Sequence, residues 1–143
     1  MDWQNLFLTF DGRINRAKYW AGVGVSFALV LIGSFFMGLI PYLGPLIALV
    51  VFLAAAAVGI PIGIKRLHDR NKSGHWLMLF YVAPAALNAV VGISDSVTLN
   101  GLLGLVGFAI VAWSLVELGI LRGTEGQNQY GADPLELTTF RTA

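Results

Sequence analysis

From Tyr19 to Ile64 the chain contains no Asp, Glu, Lys, Arg or His. A bilayer's hydrocarbon core is about 30 Å thick and is crossed by about 20 helical residues, so this run is too long for one span. Pro41-Tyr42-Leu43-Gly44-Pro45 divides it, with breakers at both ends of the turn. Five extended residues reach at most about 18 Å, too short to recross the core. The halves, about 19–40 and 46–64, are therefore predicted to form an antiparallel hairpin of membrane spans.

A second pair follows. Trp76 to Ile93 and Gly101 to Leu121 are long apolar segments, separated by the polar turn Ser94-Asp95-Ser96-Val97-Thr98-Leu99-Asn100. Pro84 interrupts the hydrogen bonding of the third span. Composition agrees: 57% of the 143 residues are hydrophobic and 12% are charged, about half the charged share of soluble domains. The predicted fold is all-α, an integral-membrane four-helix bundle made of two hairpins. Residues 1–134 form the membrane domain and 135–143 a C-terminal tail.

The basic residues give the bundle a direction. Arg13, Arg16 and Lys18 precede the first span, and Lys65, Arg66, Arg70 and Lys72 lie between the second and third. Arg122 and Arg141 follow the fourth, while neither alternate turn contains a Lys or Arg. This positive-inside pattern predicts a multi-pass protein with both termini in the cytoplasm. Tyr19, Trp20, Trp76 and Tyr81 fall near the basic ends and Tyr42 at the other side, as expected for aromatic belts.

Asp2 is a candidate cap for a short helix over residues 3–10, where Trp3, Leu6, Phe7 and Phe10 follow helical spacing. Such a helix is expected to lie in the membrane interface. Small residues recur at Ser34 and Gly38, at Ala55, Gly59 and Gly63, and at Gly101, Gly104 and Gly107, where backbones can approach closely. Met1-Asp2-Trp3 lacks a basic leader, so no cleavable signal is expected. A net charge of +1 argues against a nucleic-acid partner. Cys is absent, which excludes thiolate metal sites and cysteine catalysis.

Three polar segments share the basic side. The first is Phe10 to Trp20; on a helix starting near Asp11, Arg13, Arg16 and Trp20 would share a face. The second is Lys65 to Trp76, where Asp69 is within pairing distance of Lys65 or Arg66. The third is the turn-rich stretch Gly123 to Pro134.

Together they resemble an uncharacterised bacterial inner-membrane family, the "domain of unknown function 805" group. The shared positions are Phe10, Gly12, Arg13, Arg16, Tyr19 and Trp20, then Arg66, Leu67, His68 and Asp69, then Gly123, Gly126, Asn128, Tyr130 and Gly131. His75 departs from the aromatic residue found beside Trp76 in relatives. The resemblance implies a polytopic inner-membrane protein. It brings no substrate, reaction or cofactor.

Arg13, Arg16, Arg66 and Arg70, with Asp69 and His68, are the candidate site for an anionic lipid head group or other anion. The competing reading is that these residues set topology and tie helix ends together. Expected partners are anionic membrane lipids, with a homo-oligomer or a membrane-protein partner as alternatives. A small oligomeric transporter or channel is the rival function. Glu117 and Asn88, with Ser26, Ser34 and Ser114, are its only polar candidates inside the spans. Enzyme chemistry is not expected, because His68, Asp69 and His75 lack the further groups a catalytic or metal site needs. No metal or cofactor is predicted.

Overall fold

The computed structural model describes residues 3–136. The expected cap Asp2, the last cation Arg141 and residues 137–143 of the tail lie outside the described residues.

Among the described residues, four helices are long and apolar enough to cross a membrane. A short helix α1 (Trp3–Leu8) precedes α2 (Arg16–Leu39). A single 3-10 turn, Pro41–Leu43, leads into α3 (Gly44–Asp69). After a turn come α4 (Trp76–Ile93) and α5 (Val97–Ser114), the latter continuing as a π-helical turn, Leu115–Ile120. α2 packs along α3 and α4 along α5. The hairpins meet where α3 runs into α4, and where the π turn lies against α2 and α3. The three polar segments therefore occupy one end of the bundle, called here the motif end.

Local chemistry sets the helix starts. Asn15 caps α2, its side chain accepting from the Lys18 N–H at 3.0 Å. Gly12 has φ +88, a left-handed conformation that breaks the chain before the helix. This corrects the expectation of a helix from Asp11: Arg13 lies in the segment before α2, and only Arg16 and Trp20 share its face. Ser96 caps α5 by accepting from the Leu99 N–H at 3.3 Å, so the fourth helix starts four residues before its expected Gly101. α3 also outruns its expected end at Ile64, because Lys65, Arg66 and Asp69 find buried partners within the protein.

Close helix contact depends on small residues. A Cβ on Gly22 would lie 2.0 Å from Ile62, and one on Gly33 2.1 Å from Val51, so α2 and α3 touch through glycine. A Cβ on Gly63 would lie 2.6 Å from Leu77 on α4. Among the expected small positions, Gly38, Gly101 and Gly104 have nothing within contact distance. Toward the opposite end α2 and α3 part around an apolar groove of about 490 Å³, lined by residues such as Leu29, Phe36, Leu46 and Val50.

α1 is shorter than expected and leaves Phe10 exposed beyond it. It packs on α3, with Leu6 buried. Lys65 Nζ donates to the carbonyls of Asn5 and Leu6 and, at 2.8 Å, to the Thr9 hydroxyl. A cation thus meets the C-terminal end of α1, where the helix dipole favours one. Lys65 turns away from Asp69 to do so.

Candidate functional site

Asp69 ends α3 and joins all three polar segments. Its Oδ1 accepts from Arg13 Nε at 3.1 Å, and its Oδ2 accepts from Arg66 Nη1. Its backbone carbonyl accepts from the Thr124 N–H at 2.8 Å and the Thr124 hydroxyl at 3.1 Å. Gly123 lies so close that a Cβ there would stand 2.0 Å from Asp69 Oδ2. Only a residue without a side chain fits between the third segment and this carboxylate.

Arg13 is threaded into the third segment. Its Nη1 donates to the carbonyls of Gly126 (2.6 Å) and Gly131 (3.2 Å), and its Nη2 to that of Thr124 (2.5 Å). All three guanidinium nitrogens are engaged, and the side chain is 1% exposed. The loop that offers these carbonyls is shaped by Gly126 (φ +69) and Gly131 (φ +130). Asn128 and Gly131 exchange backbone hydrogen bonds of 3.0 and 3.1 Å. The Asn128 amide donates to the His68 carbonyl and the Thr124 hydroxyl, both at 2.9 Å. Asp133 holds the far side, accepting from the backbone N–H groups of Gly126 (3.2 Å) and Leu135 (2.9 Å).

A second set of bonds covers the end of the fourth span. The last carbonyls of a helix have no acceptor role within it and must find donors elsewhere. Here the donors are side chains of the first two segments. Arg66 Nε donates to the Leu118 carbonyl at 2.7 Å and Trp20 Nε1 to that of Gly119 at 3.1 Å. Arg16 Nη1 donates to Ile120 at 3.0 Å, Arg66 Nη2 to Leu121, and Arg70 Nη1 to Arg122. The π geometry, closed by a Leu121 N–H to Val116 carbonyl bond of 2.9 Å, presents these carbonyls in succession. Gly119 admits the Trp20 ring, which a Cβ would meet at 2.7 Å.

His68 stacks on Tyr130, with ring centroids 3.8 Å apart and an interplanar angle of 2°. Its Nδ1 lies 3.2 Å from the Gly12 carbonyl, so that nitrogen carries the proton. The ring makes no bond to Asp69, whose two oxygens are held by arginines. His75 is exposed just before α4. Among the described residues no group of three or more His, Cys, Asp or Glu is placed to hold a metal ion.

Glu117 is buried within the π turn, and its Oε1 accepts from Arg70 Nε at 3.1 Å and Lys72 Nζ at 3.0 Å. Lys72 also sits 4.9 Å from the centre of the Trp76 ring, a cation–π distance. Three of the other intramembrane polar groups bond within their own helices. Asn88 donates to the Pro84 carbonyl at 2.9 Å, Ser34 to Val30 and Ser114 to Val111, both at 2.8 Å. Ser26 has a buried hydroxyl with no partner. These groups do not join into a hydrogen-bonded chain.

The structure thus brings together Arg13, Arg16, Arg66, Arg70, His68 and Asp69, with Tyr19 buried below Trp20. The anion-binding expectation needs redistribution, however. Arg13 and Arg66 are 1% and 0% exposed, and their donors face protein acceptors, so neither is presented to a lipid surface. Arg16 and Arg122 are exposed. They flank a crevice of about 260 Å³, lined by Asn15, Arg16, Ala17, Arg66, Arg122, Gly123 and Leu135. Sequence reasoning missed Arg122, Thr124, Lys72 and Asp133 as site residues. The Asp133-Pro134 pair is a turn signal that pointed to Asp133; the partner of Lys72 lies on another helix and left no local trace.

The geometry defines a polytopic α-helical membrane protein whose span ends are locked by arginine, carboxylate and backbone carbonyls. Residues 7–132 match the family described as "Protein of unknown function (DUF805)", and the chain belongs to that family. It is 34% identical to the uncharacterized protein YiiR of Escherichia coli K12 over 132 residues, covering 91% of this chain and 88% of that protein. It is 29% identical to the inner membrane protein YhaI of the same organism, over 90% of this chain and 87% of that one. No solved structure matches it.

Proposed function

We propose that this is a bacterial inner-membrane, lipid-binding protein whose motif end faces the cytoplasm and holds anionic head groups. The orientation follows from the concentration of Lys and Arg at that end. The name of YhaI supports the membrane assigned.

One observation carries the reading. After the internal lock is satisfied, Arg16 and Arg122 remain exposed at the motif end, with Lys18 half-buried. Exposed Leu8, Phe10 and Trp20 accompany them. Cations beside apolar and aromatic side chains match the boundary where phosphates meet acyl chains. The buried arginines have a different part: they hold the span ends so that the exposed cations keep a fixed arrangement.

The test is lipid selectivity. The purified full chain is mixed with phosphatidylglycerol and phosphatidylcholine at equal mole fraction, and retained adducts are read by native mass spectrometry. Preferential retention of the anionic lipid is expected. Equal retention of both overturns the reading.

A further inference from the structure

We propose that the crevice between Arg16, Arg66 and Arg122 is a discrete site for one terminal phosphate group, carried by a lipid head group or free in solution. This deepens the lipid-binding reading and rests on it for the lipid source only.

Three features converge. First, three arginines and no acidic residue line the crevice among the described residues. Asp69 is held by Arg13 and Arg66 and Glu117 by Arg70 and Lys72, which leaves Glu125, paired with Arg122, as the acid that competes at the rim. Second, the guanidiniums retain capacity. The exception is Arg66, which is 0% exposed with all three nitrogens bonded to Leu118, Asp69 and Leu121, so it adds fixed positive charge behind the crevice and no contact to the ligand. Among the described residues the Arg16 side chain gives a single bond, to Ile120. Among them the Arg122 side chain pairs only with Glu125, at 3.1 Å, and both side chains are largely exposed, at 63% and 76%. An exposed pair of that kind contributes little and is readily exchanged for another anion. Third, the volume fits. At about 30 Å³ of liquid volume per water, about 260 Å³ holds a phosphate with several waters.

Ligand class follows from the donors. Guanidinium forks bind phosphate oxygens bidentately. A terminal phosphate offers three such oxygens and about −1.5 to −2 charge at neutral pH, whereas a phosphodiester offers fewer oxygens and a single charge. The buried Arg66 is fixed by Leu118, Leu121 and Asp69, so one of the three positive charges is preorganised. Arg16 and Arg122 stand at the accessible sides and close on the ligand.

The experiment uses the full chain in detergent, titrated separately with inorganic phosphate, short-chain phosphatidic acid and short-chain phosphatidylglycerol. Wild type is compared with Arg122→Gln, Arg16→Gln and Glu125→Gln. The Arg122 side chain pairs with Glu125 and with no helix, and the backbone carbonyl that accepts from Arg70 is kept in Arg122→Gln, so the replacement leaves the fold intact. Saturation at one equivalent by phosphatidic acid is expected, tighter than by phosphatidylglycerol. Arg122→Gln should weaken it about tenfold, the scale of one lost charge-assisted bond. Glu125→Gln should tighten it, since it removes the competitor for Arg122. Binding of phosphate alone with the same variant pattern assigns the site to a soluble anion, and binding of phosphatidic acid only assigns it to lipid. Unchanged affinity in both Arg variants, or saturation only at many equivalents, overturns the crevice. If wild type still prefers anionic lipid in that case, the broader reading stands without it.

Discussion

At the motif end, Arg66 and Asp69 are 0% and 3% exposed, and Arg13, Arg70, Lys72 and Glu117 all have named partners. At the opposite end, Tyr42 is 96% exposed, and Ile93 and Val97 are each 86% exposed. In water the second region would be the defect and the first the oddity. In a bilayer the order reverses. Lipid tails are as apolar as these side chains, so burying them against protein gains little. Unsatisfied backbone groups and unpaired charges, by contrast, cost several kcal/mol each in a nonpolar medium. The fold is therefore specified most strongly where polar groups must be matched one to one. The hairpins are joined there, through the π turn and the segments around Asp69.

The largest break in this contrast should come from Asp69→Ala. It strands two buried guanidiniums, a defect worth about 3–5 kcal/mol for a buried ion pair that loses one partner. Unfolding in mixed micelles, followed by tryptophan fluorescence, should show a loss of that size. Protease cleavage should increase within 123–134, the segment that Arg13 holds. A loss below about 1 kcal/mol would mean that the motif end is no more critical than an ordinary surface pair.

Gly123→Ala sharpens the same point without touching a charge. Its Cβ would enter space already filled by the Asp69 carboxylate, and overpacking of that kind costs about 1–3 kcal/mol. Gly104→Ala, inside α5 at a position with nothing within contact distance, is the contrast and should be neutral to stabilising, since alanine favours a helix over glycine. Equal losses at both glycines would show that the approach to Asp69 does not decide the cost.

Much of the architecture was legible from the residues themselves. Charge-free length, the Pro41–Pro45 breaker and the one-sided Lys and Arg identify four spans and their pairing, because bilayer thickness and head-group charge act on composition directly. The co-location of the three polar segments follows from that pairing. Their contacts were not legible, for a physical reason. The acceptors for Arg16, Arg66 and Arg70 include backbone carbonyls of Leu118, Ile120, Leu121 and Arg122, and a carbonyl has no residue identity to read. Arg13 was placed on a helix by spacing, whereas Gly12 and Asn15 delay the helix to Arg16. The absent side chain of Gly123 leaves room for Asp69, a contact between distant residues.

The smallest expected effect compares one tyrosine from each end. Tyr130 lies face to face with His68, and its backbone N–H donates to the Asn128 side chain at 2.8 Å. Tyr130→Leu removes the ring but keeps that backbone bond. The expected loss is about 0.5–1.5 kcal/mol, the range for an aromatic pair beyond its buried area. Tyr42→Leu removes a ring that is almost wholly exposed and should change stability by less than about 0.5 kcal/mol. The His68 ring protons add a local readout. Stacked beneath an aromatic face they should resonate upfield, and Tyr130→Leu should return them toward their exposed positions while Tyr42→Leu leaves them unmoved. If both substitutions shift them alike, the ends of the bundle are coupled through the helices, and the division between a polar lock and a lipid-solvated end does not hold.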